Sequence, residues 1–157
     1  MTIIEFWNNP QLIGVFLLSI IMAITVHEFA HAWTANKLGD DTPYLMGRVS
    51  LNPLAHLDPI GSLAFLLVGF GWGKPVMINP MRFRNKIDEL MVALAGPISN
   101  ILLALLLNVL AAIMQKTGVH IISPDFLGRA AIISLYLAAF NILPIPPLDG
   151  SSIVAYF

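Results

Sequence analysis

The chain has 157 residues, of which 57% are hydrophobic and only 11% are charged, and its net charge is −1. Soluble domains carry about 25% charged residues, so this composition excludes an ordinary soluble domain and predicts a membrane protein. The near-neutral charge excludes a nucleic-acid-binding face. Because the sequence contains no cysteine, any metal site must use histidine and carboxylate ligands.

Three long apolar stretches predict the membrane-spanning helices of an all-α polytopic membrane protein. The first covers residues 12–35 and ends near Gly39. The next covers residues 90–114 and is the clearest candidate for a span. The last covers residues 127–143 and stops at a proline-rich segment, which cannot continue a helix.

Two shorter elements are predicted between the first two spans. Residues 60–72 are apolar but too few to cross a bilayer comfortably, so we expect a re-entrant or interfacial segment. Residues 73–80 contain the run Val76-Met77-Ile78 between two prolines, which predicts a small β element.

The motif HEFAH at residues 27–31 lies inside the first apolar stretch. On a helix, residues four apart share a face, so His27 and His31 can bind one metal ion. Glu28 is offset by about 100° around the helix and can take a proton from metal-activated water. Ionisable groups inside a membrane helix are costly, which favours a functional interpretation over a chance match.

A catalytic zinc site needs a third protein ligand. The residues that can supply it are His56, Asp58, Glu89, His120, Asp125 and Asp149. If residues 60–72 do not cross the membrane, Asp149 lies on the same side as the histidine motif, whereas His120 and Asp125 lie on the other. This topology favours Asp149, with His56 as the next candidate.

The same topology predicts the orientation of the chain in the cell membrane. Without a crossing at residues 60–72, six basic residues lie on one side and two on the other. The positive-inside rule then makes the loop between residues 37 and 86 cytoplasmic and places the active site near that side. If the short segment crosses, the basic residues divide four against four, and no orientation is favoured.

One face of the helix predicted over residues 90–114 carries Ala93, Gly96, Asn100 and Ala104. The small residues predict close helix packing. For Asn100, packing and contact with a substrate are equally good interpretations.

The sequence closely resembles the site-2 protease family of intramembrane zinc metalloproteases, in particular its compact bacterial branch. The resemblance rests on HEFAH at 27–31, NPLAHLDPIG at 52–61, GWGKPV at 71–76, AGPISN at 95–100 and FNILPIPPLDG at 140–150. It implies zinc bound by His27, His31 and Asp149, with Glu28 as the catalytic base. It also implies that Asn141 engages the substrate backbone or the oxyanion.

The resemblance predicts one intramembrane metalloprotease core domain over residues 1–157, without a PDZ domain. Similar proteins usually continue into another helix after the aspartate motif, whereas this sequence stops at Phe157. The resemblance therefore leads us to expect a C-terminally truncated form. The expected activity is zinc-dependent hydrolysis of peptide bonds in or near transmembrane segments of substrate proteins in the lipid bilayer. The alternatives are a membrane metal-binding or transport protein and an inactive protein of the same fold. The sequence does not indicate an oligomeric state.

Overall fold

The computed structural model describes residues 9–68, 72–119 and 121–157, and α-helices dominate these ranges. Two short 3-10 turns occupy Pro53–Ala55 and Pro80–Arg82. The α-helices are α1 (Pro10–Lys37), α2 (Thr42–Leu45), α3 (Pro59–Val68), α4 (Lys86–Thr117), α5 (Pro124–Asn141) and α6 (Asp149–Tyr156).

The ends of the two longest helices follow from local chemistry. The side chain of Asn9 accepts hydrogen bonds from the first amides of α1, and Pro10 occupies the first helical position. Asn85 and Asp88 form a reciprocal capping box at the start of α4, and Gly118 ends that helix in the left-handed conformation. Among the described residues, α1 and α4 are the two helices long and apolar enough to cross a membrane.

The helices predicted over residues 12–35, 90–114 and 127–143 are confirmed as helices. The last of them ends at Asn141 rather than at residue 143, because the residue before Pro144 is disfavoured in the helical conformation. The 18 residues of α5 include Asp125, Arg129 and Asn141. An 18-residue span within this helix must contain all three, whereas α1 and α4 are longer and offer more apolar windows. Three membrane crossings therefore remain a prediction.

The predicted re-entrant segment contains α3, which has 10 residues and a length of about 15 Å. That length is about half the hydrocarbon thickness of a bilayer. Asp58 caps this helix by accepting hydrogen bonds from the amides of Ile60 and Gly61. Residues 69–71 of the predicted segment lie outside the described residues.

The small β element predicted over residues 73–80 is not confirmed. No strand occurs in the described ranges, and the one β-type contact there is an isolated antiparallel bridge between Leu57 and Gly73. Pro75 and Pro80 lack the amide hydrogens that a regular ladder needs. The segment instead forms isolated hydrogen bonds with the rest of the protein rather than a continuous ladder.

Helix α4 is central, because it packs against α1, α5 and α6. Small side chains let these helices approach closely, with Ala104 and Ala111 of α4 buried against Ala130 and Ala131 of α5. The hydroxyl of Ser134 adds a buried hydrogen bond of 2.9 Å to the carbonyl of Asn100. This packing brings one face of α4 alongside the histidine motif of α1.

Candidate metal centre

His27 and His31 lie one turn apart in the C-terminal half of α1, and both are buried. Their rings meet edge to face with centroids 4.6 Å apart. The two Nε2 atoms are separated by 3.1 Å. The helical spacing of the motif thus directs both imidazoles to one point, as the sequence predicted.

Asp149 reaches the same point from the first turn of α6. Its Oδ2 atom lies 3.0 Å from His27 Nε2 and 3.2 Å from His31 Nε2. The neighbouring Gly150 makes this turn possible, since a Cβ there would lie 2.1 Å from the carbonyl oxygen of Ile142. The structure therefore brings together the three residues that the resemblance named as ligands.

The three atoms fit a zinc ion in both geometry and chemistry. Zinc bonds of about 2.0–2.1 Å in a tetrahedral site separate neighbouring ligand atoms by about 3.3 Å, close to the 3.0–3.2 Å found here. Burial would raise the pKa of Asp149, but hydrogen bonds from the two histidines outweigh it and lower the pKa to about 2. The carboxylate is thus charged at neutral pH and suited to a cation.

Helix α4 forms the wall behind the two imidazoles. His31 Nδ1 donates to the carbonyl of Val92 at 2.7 Å, and the side chain of Asn100 lies 3.2 Å from His27 Nδ1. Between them, a Cβ on Gly96 would lie 2.3 Å from His31 Nε2. Sequence reasoning treated Gly96 as a packing residue and missed Val92. The four-residue spacing of residues 92, 96 and 100, which places them on one face of α4, was the feature of the sequence that could have identified this wall.

A cavity of about 570 Å³ opens beside the cluster. Glu28 lines this cavity, and its carboxylate oxygens are not among the ligand atoms that converge. This agrees with its predicted place beside a metal. Asn141 also lines it, and its amide nitrogen donates to the carbonyl of Leu137 at 3.0 Å. Asn100 is fully buried behind His27 and is not part of the cavity wall.

The other candidates for a third ligand lie elsewhere or serve other bonds. The fully buried His56 donates from Nε2 to the carbonyl of Ser50 at 2.7 Å. Glu89 lines the cavity but does not join the cluster, and Asp125 lies in the first turn of α5. His120 lies outside the described residues. Within the described ranges, the one group with metal-ligand geometry is His27, His31 and Asp149.

The extended segment of residues 74–79 forms one side of the cavity. Its first amide, from Lys74, donates to the carbonyl of His56 at 2.7 Å. Its last, from Asn79, donates to the buried carboxylate of Asp40 at 2.6 Å. Between these anchors, Pro75, Val76 and Ile78 line the cavity, and Met77 is exposed.

Known proteins similar to this chain carry related names. "Putative zinc metalloprotease YwhC" of Bacillus subtilis is 37% identical over 92% of this chain and 69% of its own length. "Putative zinc metalloprotease MJ0611" of Methanocaldococcus jannaschii is 40% identical over 90% of this chain and 71% of its own length. "Putative zinc metalloprotease Rip2" of Mycolicibacterium smegmatis is 35% identical over 88% of this chain and 56% of its own length. No family model and no solved structure matches the chain.

Proposed function

Because the chain belongs to the site-2 protease family of zinc metalloproteases, we propose that it is a zinc-dependent intramembrane endopeptidase. Its substrates would be membrane proteins cleaved in or near a transmembrane segment. The observation that carries the proposal is the convergence of three ligand atoms beside Glu28, two of them on a helix long and apolar enough to span a membrane. The chain covers 56–71% of the lengths of the three relatives. That it carries the proteolytic activity of a whole protein is therefore proposed here as well.

His27, His31 and Asp149 would hold the zinc. The chemistry that a bound zinc supplies is polarisation of the scissile carbonyl and a lowered pKa of water. The Glu28 carboxylate accepts the proton of the attacking water and passes it to the leaving amine. Its place on the cavity wall, outside the ligand cluster, leaves its oxygens available for this transfer.

Asn141 is the proposed donor to the substrate backbone or the oxyanion. An amide nitrogen carries two hydrogens, and one of them bonds to the carbonyl of Leu137 within the same helix. The second hydrogen remains for a group in the cavity that Asn141 lines. Donors held in place before the reaction are effective in stabilising developing negative charge.

A transmembrane substrate must unwind before its carbonyl can be attacked, because a helix occupies its backbone hydrogen-bonding groups. We propose that the unwound strand adds to the edge formed by residues 76–78. This edge lines the cavity and is anchored at both ends, through Lys74 and Asn79. Strand addition supplies affinity through main-chain bonds and needs little sequence specificity.

The proposed setting is the cell membrane, with several crossings and the site near the cytoplasmic face. The lengths and apolar character of α1 and α4 support membrane insertion. The excess of basic residues between residues 37 and 86 supports the orientation. Water from the cytoplasm would then reach the cavity directly.

The test compares wild type with Glu28→Gln, each at measured zinc content, on a transmembrane peptide containing helix-weakening residues. The substitution keeps size and spares the ligands, so zinc should be retained while cleavage falls about 10²–10⁴-fold. Asp125→Asn, an exposed carboxylate in the first turn of α5, is the matched control and should cleave normally. Equal cleavage by Glu28→Gln and wild type would refute the mechanism. Zinc binding without cleavage by any of the three proteins would favour the metal-binding alternative.

A further inference from the structure

We propose that Asn100 is a positioning residue of the metal centre. Resting on the proposed zinc site, the inference is that its side-chain amide pairs with Nδ1 of His27 in both states, as a donor in the zinc-free protein and as an acceptor once Nε2 binds zinc. Asn100 has no exposed surface and lies outside the cavity wall. A substrate bound in the cavity therefore meets His27 and Asp149 but not this amide.

The two histidines differ in how their outer ring nitrogens are held. The Nδ1 atom of His31 faces a backbone carbonyl, that of Val92, at 2.7 Å. A carbonyl only accepts hydrogen bonds, so His31 must carry its proton on Nδ1 when neutral. Its Nε2 atom then presents a lone pair to the cluster, which is the form that binds a metal.

His27 has no such fixed acceptor, because its Nδ1 atom faces the Asn100 amide at 3.2 Å. The contacting amide atom is Nδ2, a donor, while Oδ1 of the same side chain is buried without a partner. In this arrangement His27 accepts at Nδ1 and carries its proton on Nε2. That proton can bond to Asp149 Oδ2 at 3.0 Å or to His31 Nε2 at 3.1 Å.

Zinc binding requires the opposite tautomer of His27. A ligating Nε2 atom must offer a lone pair, so the proton moves to Nδ1, which then needs an acceptor. Asn100 carries one in Oδ1, the atom that has no partner in the structure. An amide can donate to one tautomer and accept from the other, which neither a carboxylate nor an apolar side chain can do.

The position of Asn100 limits what else can serve this role. Its own carbonyl accepts the Ser134 hydroxyl of α5 at 2.9 Å, so the residue sits where α1, α4 and α5 meet. Four residues earlier on the same face, Gly96 is in direct contact with the imidazoles. The face of α4 thus holds His31 through a backbone carbonyl and His27 through a side chain that mutation can change.

The experiment measures zinc affinity by chelator competition in the purified full chain, for wild type, Asn100→Leu and Asn100→Asp. Leucine fills the space without accepting a hydrogen bond, and loss of such a supporting partner typically weakens metal binding about 10–100-fold. Aspartate still accepts from Nδ1 and should bind zinc close to wild type. Asn108→Leu is the matched control, since this exposed asparagine of α4 bonds only within its own helix. Its affinity should not change.

Cobalt in place of zinc adds a spectroscopic readout that simple destabilisation would not move. We expect Asn100→Leu to alter the visible Co²⁺ absorption and Asn100→Asp to retain it. If Asn100→Leu does not fold, Asn100→Ser, a smaller side chain that still accepts, and Asn100→Ala, which cannot, replace the pair. Serine should then bind zinc more tightly than alanine.

Wild-type zinc affinity and Co²⁺ spectrum in Asn100→Leu would overturn the inference. If that variant also lost cleavage, Asn100 would instead act on the substrate. The inference and the proposed function fail separately. A protein that binds zinc in the expected order but cleaves nothing would refute the protease activity and leave the role of Asn100 intact.

Discussion

Gly96 offers the sharpest test of how the metal centre is built. A methyl group there would lie 2.3 Å from His31 Nε2 and 2.6 Å from His27 Nε2. Ordinary contact needs about 3.5 Å, so both rings must retreat by about 1 Å in Gly96→Ala. Metal–ligand distances in proper sites vary by only about 0.2 Å. The displaced imidazoles therefore cannot both reach a zinc ion without strain.

The size of the effect follows from the cost of overpacking. Extra atoms in a well-packed site cost about 1–3 kcal/mol, and a bound zinc ion fixes the two rings more strictly than their contacts with Val92 and Asn100 do. Zinc affinity should therefore fall about 5–150-fold. Because the contacting atoms are the ends of side chains, the helices need not move. Alanine also favours a helix over glycine by about 1 kcal/mol, so the zinc-free protein should not lose stability.

The assay pairs zinc affinity from chelator competition with thermal unfolding of the zinc-free protein in detergent. Gly128→Ala is the matched control, because a Cβ at this helical glycine of α5 meets nothing within 4 Å. It should leave zinc affinity unchanged. A Gly96→Ala protein that binds zinc within about twofold of wild type, well inside the smallest expected loss, would refute the reasoning. So would a loss of zinc matched by an equal loss of zinc-free stability.

Three further predictions concern the ligand set, the edge formed by residues 76–78 and the topology. Metal analysis should find about one zinc per chain. The zinc should be lost in Asp149→Ala and kept in His56→Ala. The reverse pattern would mean that Asp149 is not the third ligand. Asp40→Asn leaves a single side-chain oxygen for the two amides of Thr42 and Asn79, so one bond is lost and the hold on this end of the edge weakens. It should lower cleavage of a transmembrane peptide about 5–30-fold, from a bond of about 1–2 kcal/mol, at normal zinc content. Asp41→Asn, which loses only an exposed ion pair, should cleave normally, and equal rates would contradict the anchoring role. A single cysteine at position 82 should resist labelling from outside intact cells, and labelling there would overturn the orientation.

The buried carboxylate of Asp40, just after the end of α1, links that end to the segment of residues 74–79. It accepts the amides of Thr42 and Asn79, and although burial opposes the effect, these bonds lower its pKa. The carboxylate is therefore charged at neutral pH. Nothing in the local sequence distinguishes it from its neighbour Asp41, because its partner lies 39 residues away.

The sequence by itself determined the three long helices and the shared helix face of the two histidines. Long apolar runs must become helices in a membrane, because every backbone polar group there needs an internal partner. The four-residue spacing of His27 and His31 places both rings on one helix face whatever the rest of the chain does. The same local geometry places Glu28 beside that face. These features depend only on the short-range periodicity of a helix, which is visible in the sequence.

Tertiary structure alone decided which distant groups complete the site. Asp149 was favoured by a topological argument, but its 3.0 Å approach to His27 depends on the turn at Gly150 and on the packing of α6 against α4. The contact between Asn100 and His27 spans 73 residues and depends on the rotation of α4 about its own axis. Periodicity shows which residues share a face but not which neighbour that face meets. The packing of small side chains between the helices settles that choice.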